Sequence, residues 1–270
     1  MRVVFGATTV ALLVIGSSLS GAAPRTNCQL RAIQDLQRLS PRGHAIYLAM
    51  KDKNQFLAFL TCDDVQLGLS TAVHESVHIL TEERDAYPLI EGGSVPRAHE
   101  VSRFYPPREI AATFEQGDIY VQTYLRRGAA SSADDLGYLL DELNAYSHDL
   151  AAATKLIAVH TGDERVDHRA GLAALMSFVM RYVETARRQR PTTWQGLQRA
   201  SEKALVRTLW LQAEAVLTAS WGIPGFGGEK YVEGLCARQN GSALAELIGQ
   251  PPINPRVCAA TAASGSSITK

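Results

Sequence analysis

Two histidines four residues apart, His74 and His78, constrain this chain more than any other feature. On an α-helix, side chains at that spacing project from one face, one turn apart. Two imidazoles so placed can bind one zinc ion, and Glu75, beside the first, lies next to a water on that ion. The stretch Val73-His74-Glu75-Ser76-Val77-His78 is flanked by Thr71-Ala72 and Ile79-Leu80, and its inner pair Ser76-Val77 is uncharged. An uncharged surround suits a helix buried in a core, where further charges would be desolvated at a cost. Asp63 or Asp64 supplies an N-cap, and the helix is expected to run to about Glu83.

The N-terminus carries a different message. Arg2 precedes an uncharged run from Val3 to Leu19 centred on Val10–Ile15, and small residues gather over Ser17–Ala23. This pattern predicts a secretory signal peptide over 1–22 and a secreted or periplasmic protein. No other stretch is long and apolar enough to span a bilayer. Four cysteines remain: Cys28, Cys62, Cys236 and Cys258. An even number in an exported chain predicts two disulfides, and proximity favours Cys28–Cys62 and Cys236–Cys258 among the three possible pairings. None of the four lies in a Cys-x-x-Cys spacing suited to zinc. The 27 Lys and Arg balance the 27 Asp and Glu, so no basic field argues for nucleic acid or a membrane surface.

At 270 residues, the chain can bury a sizeable core. Leu30, Ile33, Leu36 and Leu39 predict a short helix that ends at Pro41. Ala45–Met50 and Gln55–Leu60, around the polar Lys51–Asn54, predict a first β-hairpin. Tyr87–Ile90 and Ser94–Ala98, around Glu91-Gly92-Gly93, predict a second. Pro106-Pro107 breaks the chain, and Glu109–Phe114 forms a short helix. Long helices are expected from Ala133, opened by Ser132 and Asp135, to His160; from Asp167 to Arg190; and from Trp194 to Ser220. The glycine-rich stretch Trp221–Gly228 lacks the Lys-Ser/Thr ending and preceding strand of a phosphate loop, so nucleotide binding is rejected. Beyond Cys258 the tail reads as disordered. The expected fold is therefore α+β, mainly α: a metal helix with one or two β-hairpins before and after it, then a bundle of long helices. Its expected parts are 23–130 with the metal helix, 131–235 with the helical bundle, and a disulfide-tied segment over 236–270.

The metal helix resembles the active-site helix of the zincin metallopeptidases in His74, Glu75, His78 and the uncharged flanks. A catalytic zinc needs a third protein ligand and an open position. The branch with a His six residues past the motif is excluded, because Arg84 stands there with no glycine before it. In the gluzincin branch the third ligand is a Glu on a later helix, and Glu142 in Leu140-Asp141-Glu142-Leu143-Asn144-Ala145-Tyr146 is the best match. Asp141, His148 and Glu115 are its rivals. Tyr146 stands where the thermolysin pattern has an acid four residues past the ligand, so no single peptidase family is assigned.

The resemblance implies one catalytic Zn2+ held by His74, His78 and Glu142, a water made acidic by it, and Glu75 as general base. Tyr146, or else His148, would donate to the oxyanion. Asp149 or Asn144 would orient a ligand histidine. His44, His99, His160 and His168 follow no ligand spacing and read as surface or structural. The implied function is an exported zinc metallopeptidase acting on peptides or proteins. Two alternatives stand beside it: an exported binding or interaction protein with a structural or degenerate site, and a zinc amidase acting on cell-wall peptide.

Overall fold

The helix that carries the two histidines, α4, spans Val65–Arg84. Asp64 caps its start by accepting hydrogen bonds from the backbone N–H groups of Gln66 and Leu67. Asp85 ends it in the left-handed region, φ 50°. A side chain there is unusual and reverses the chain tightly. The structure, a computed structural model, describes residues 26–129, 134–161, 166–237 and 240–259. The expected signal peptide, the expected cap at Ser132 and nearly all of the tail lie outside these residues.

Among the described residues, three helices precede α4: α1 (Asn27–Leu39), α2 (Pro41–Ala49) and α3 (Lys53–Phe59). Thr26 and Gln29 form a reciprocal capping box at the start of α1. The last two helices correct the expectation of a first hairpin. Ser40 caps α2 with Pro41 in its first turn, and Asp52 caps α3. By composition the two apolar runs fit strands, yet their buried residues are Ile46, Tyr47 and Met50, then Phe56, Leu57 and Leu60. That spacing of one, then three or four, fills one face of a helix rather than alternating sides of a strand. The short helices close with α4 over a core of Leu36, Phe56, Leu69, Val73, Val77 and Leu80. Each such buried side chain contributes at most about 1.5–3 kcal/mol.

After α4 the second hairpin forms as expected, with β1 (Ala86–Pro88) antiparallel to β2 (Ser94–Pro96) and Tyr87 opposite Val95. Gly92 and Gly93, both at positive φ, make the turn. Short 3-10 segments follow at His99–Arg103 and Pro107–Thr113, then a single π-turn at Val121–Leu125. The long helix α5 spans Leu136–Lys155 and is capped by Asp135. It is followed by a 3-10 turn at Ile157–Val159, then α6 (His168–Gln189), α7 (Pro191–Leu197) and α8 (Ala200–Ser220). The third long helix of the sequence reading is thus two, with Pro191 opening the shorter one. Helices α9 (Glu229–Cys236) and α10 (Ser242–Ile248) follow.

The result is mainly helical with one small sheet. Helix α5 is its centre: Leu139, Leu140, Leu143 and Leu150 pack with α6 and α8, while Ala145 and Ala152 close the core of α4. Helices α4 and α5 run in opposite directions. Gln66, near the start of α4, donates to the Ala153 carbonyl near the end of α5 at 2.8 Å. Further along α4, His78 meets Asp141 near the start of α5.

Both expected disulfides are present. Cys28–Cys62 ties α1 to the segment before α4, and Cys236–Cys258 ties α9 to the chain after α10. The loops close over 34 and 22 residues, separations for which a crosslink contributes on the order of 3–4 kcal/mol. Two such bonds fit an oxidising environment. Among the described residues, no helix is long and apolar enough to cross a membrane.

Candidate metal centre

Antiparallel packing of α4 on α5 brings three ligand atoms to one point. Nε2 of His74 and Nε2 of His78 are 3.2 Å apart. Oε2 of Glu142 lies 3.6 Å from each of them. Atoms bound at about 2.0–2.2 Å to a tetrahedral zinc are separated by roughly 3.3–3.6 Å, so the triangle already has the size of one face of that tetrahedron. Among the described residues, these three form the group of His, Cys, Asp and Glu able to hold a metal ion.

The satisfaction of polar atoms points the same way. Glu142 is 4% exposed, and its Oε2 is buried with no hydrogen-bond partner. An unpaired buried carboxylate oxygen is costly, and a cation in the triangle would satisfy it. Burial alone would lower the pKa of His78, but its hydrogen bond to Asp141 and the nearby carboxylates of Asp141 and Glu142 raise it to about 10. Burial would raise that of Glu142, but the facing imidazoles hold it down at about 2. In the metal-free site, therefore, a proton on His78 stands in for the cation.

Helix α5 also supplies groups behind the histidines. Asp141 Oδ2 is 2.7 Å from His78 Nδ1, so once His78 is neutral its remaining proton sits on Nδ1 and the Nε2 lone pair faces the triangle. Asp149 Oδ2 stands 3.9 Å from His74 Nδ1. Asp141, a rival ligand on sequence grounds, is thus the group that orients His78, and the carboxylate facing both Nε2 atoms is that of Glu142. Asn144 does not reach a histidine ligand. It donates to the Pro88 carbonyl at 3.1 Å and accepts from Gln212 at 2.7 Å.

Glu75 lies between the ligands on α4 and is half-buried. It makes no hydrogen bond or ion pair with any described residue. His78 and Tyr146 are also half-buried, while His74 and Glu142 are buried.

Tyr146 lies edge-on against His74, ring centroids 4.6 Å apart. Its hydroxyl is 2.7 Å from that of Tyr124 on the π-turn. Burial raises the pKa of both phenols, with the Glu142 carboxylate adding to the rise, so both keep their protons and remain donors. Tyr124 escaped the sequence reading because no local pattern marks it; a π-turn, a distortion frequent at functional sites, carries it in. Helix α6 makes room for the ring at Gly171, where an added Cβ would come within 2.2 Å of Tyr146 Cε1.

The remaining candidates are placed elsewhere. His148 is buried and its Nε2 donates to the Pro88 carbonyl at 3.0 Å, so it serves the hairpin rather than an oxyanion. Burial lowers its pKa to about 4 and keeps it neutral. Glu115 pairs with Lys230 at 2.5 Å. His99 pairs with Asp85 and His160 with Asp64, both at 2.9 Å, and His44 stacks on Tyr47. His168 is not a surface residue but is buried beside Asp149, the structural half of the expectation.

Comparison of the chain with protein-family models, with curated proteins and with solved structures found no match.

Proposed function

We propose that the protein is an exported zinc-dependent metallopeptidase. The triangle of His74 Nε2, His78 Nε2 and Glu142 Oε2, with an orphaned carboxylate oxygen at one corner, carries this reading. Zinc there would supply Lewis acidity, acidifying a water and polarising a carbonyl.

The chain's own groups do the rest. Glu75, without a partner and one residue from a ligand, accepts a proton as water oxygen bonds to the peptide carbonyl carbon. It returns that proton to the amine nitrogen as the C–N bond breaks. The Tyr146–Tyr124 hydroxyl pair, protonated and beside the ligand set, supplies a donor for the developing oxyanion. Asp141 keeps His78 in the binding tautomer. The two disulfides support the reading of export to a secreted or periplasmic location.

The unpaired Glu75 also favours a hydrolase over a binding protein with a structural ion, since a structural site has no use for a free carboxylate beside the ligands. Hydrolysis of a cell-wall peptide amide uses the same chemistry and is separated from proteolysis by substrate. Zymograms against casein and peptidoglycan distinguish the two. Glu75→Gln should retain zinc near one per chain while losing about a hundredfold or more in turnover on whichever substrate is cleaved. Full activity in that variant would refute the proposal.

A further inference from the structure

Asp149 stands seven residues beyond Glu142 on α5, two turns along the same face. Two imidazoles flank its carboxylate. His74 Nδ1 faces Oδ2 at 3.9 Å, and His168 Nδ1 faces Oδ1 at 3.4 Å. His168 is the first residue of α6, is 7% exposed, and has no place in the ligand set. Oδ1 of Asp149 is buried with no hydrogen-bond partner among the described residues, and His168 Nδ1 approaches it at ion-pair distance.

The surroundings hold His168 in place. Its ring lies against Phe226, centroids 5.2 Å apart. Phe226 belongs to the glycine-rich loop 221–228, whose sequence carried no assigned role. The buried Arg169 clamps that loop, donating to the carbonyls of Ser220 at 2.6 Å, Gly227 at 2.8 Å and Ile223 at 3.1 Å. Its backbone N–H donates to the Phe226 carbonyl at 2.9 Å. Loop, Phe226, His168, Asp149 and His74 thus form one packed series from the surface to the metal triangle.

We infer that His168 is a positioning residue for the metal centre, holding the Asp149 carboxylate against the Nδ1 edge of His74. The inference rests on the zinc reading. An ion at Nε2 of His74 fixes the ring proton on Nδ1, where Asp149 is the facing acceptor. At 3.9 Å that contact is longer than a hydrogen bond, and a small ring rotation on ligation closes it. The carboxylate holds its aim only if its other oxygen is engaged, and His168 Nδ1 stands 3.4 Å from that oxygen, where the same small adjustment brings it into hydrogen-bond geometry.

A double-mutant cycle on zinc affinity tests this, read by competition with a chromophoric chelator. His168→Phe keeps the ring volume and the Phe226 contact but removes the N–H. His168→Asn keeps a donor near the position of Nδ1, and Asp149→Asn weakens the acceptor. His168→Phe should weaken zinc binding about tenfold, the lower end of the range for such outer contacts, and His168→Asn should restore most of it. The pair His168→Phe with Asp149→Asn should bind no more weakly than Asp149→Asn alone. Should His168→Phe not fold, His168→Leu replaces it in the same cycle. A residue with only a structural role would lower the melting temperature of the metal-free protein while leaving zinc affinity unchanged, and that result overturns the inference. So do losses that multiply in the double variant. A parent protein that takes up no zinc is a different failure, that of the proposed function itself.

Discussion

Asp141 Oδ2 stands 2.7 Å from His78 Nδ1, at the edge of the ring opposite the Nε2 that meets His74. This contact decides which nitrogen of His78 carries a proton and hence which can bind a metal. Asp141→Ala should therefore weaken zinc binding by about 10–100-fold while leaving the ligand set intact. Chelator competition on the folded variant measures the loss, and unchanged affinity would remove Asp141 from the account.

Metal uptake should release a proton. In the metal-free site His78 is held protonated up to about pH 10, and its Nε2 must give up that proton to bind. Calorimetric titration with zinc at pH 7, in two buffers of different ionisation enthalpy, should report about one proton released per site. The same shifts set the metal-free protein's stability. The raised pKa of His78 gives a contribution that is full below 6.5 and lost as pH rises toward 10. The lowered pKa of Glu142 gives one that is full above 4.5 and lost as pH falls toward 2. Metal-free melting temperatures should thus decline from pH 6.5 to 10, and a flat profile would contradict the pairing.

Gly171→Ala places a methyl where Tyr146 Cε1 lies 2.2 Å away, so the ring must move against His74. The expected destabilisation is about 1–3 kcal/mol by overpacking, with a loss of turnover larger than the loss of zinc. Thermal melts and zinc content on one preparation check both. Unperturbed activity would show that the ring's position is immaterial.

The clustering of His74 and His78 was legible because their spacing matches one turn of helix, and the approach of Glu142 to them because a buried helix face rarely carries an acid without a partner. Both disulfides followed from proximity of the cysteines in the chain. The first hairpin was misread because six-residue apolar runs fit a strand or a short helix; the caps at Ser40 and Asp52 and the burial of Phe56 and Leu57 together decide for helix. Tyr124 and His168 were illegible for another reason. Their partners, Tyr146 and Asp149, lie 22 and 19 residues away on another element, and only packing brings them together.

The central claim is that His74, His78 and Glu142 together hold one zinc ion. Elemental analysis of protein purified without chelator tests it most directly, on the parent, on the His74→Ala/His78→Ala double variant and on Glu142→Ala. The account predicts about one zinc per chain in the parent, none retained by the double variant, and a marked loss in Glu142→Ala together with any metal-dependent gain in melting temperature. Unchanged zinc in the double variant, or full zinc and full activity in Glu142→Ala, would contradict it.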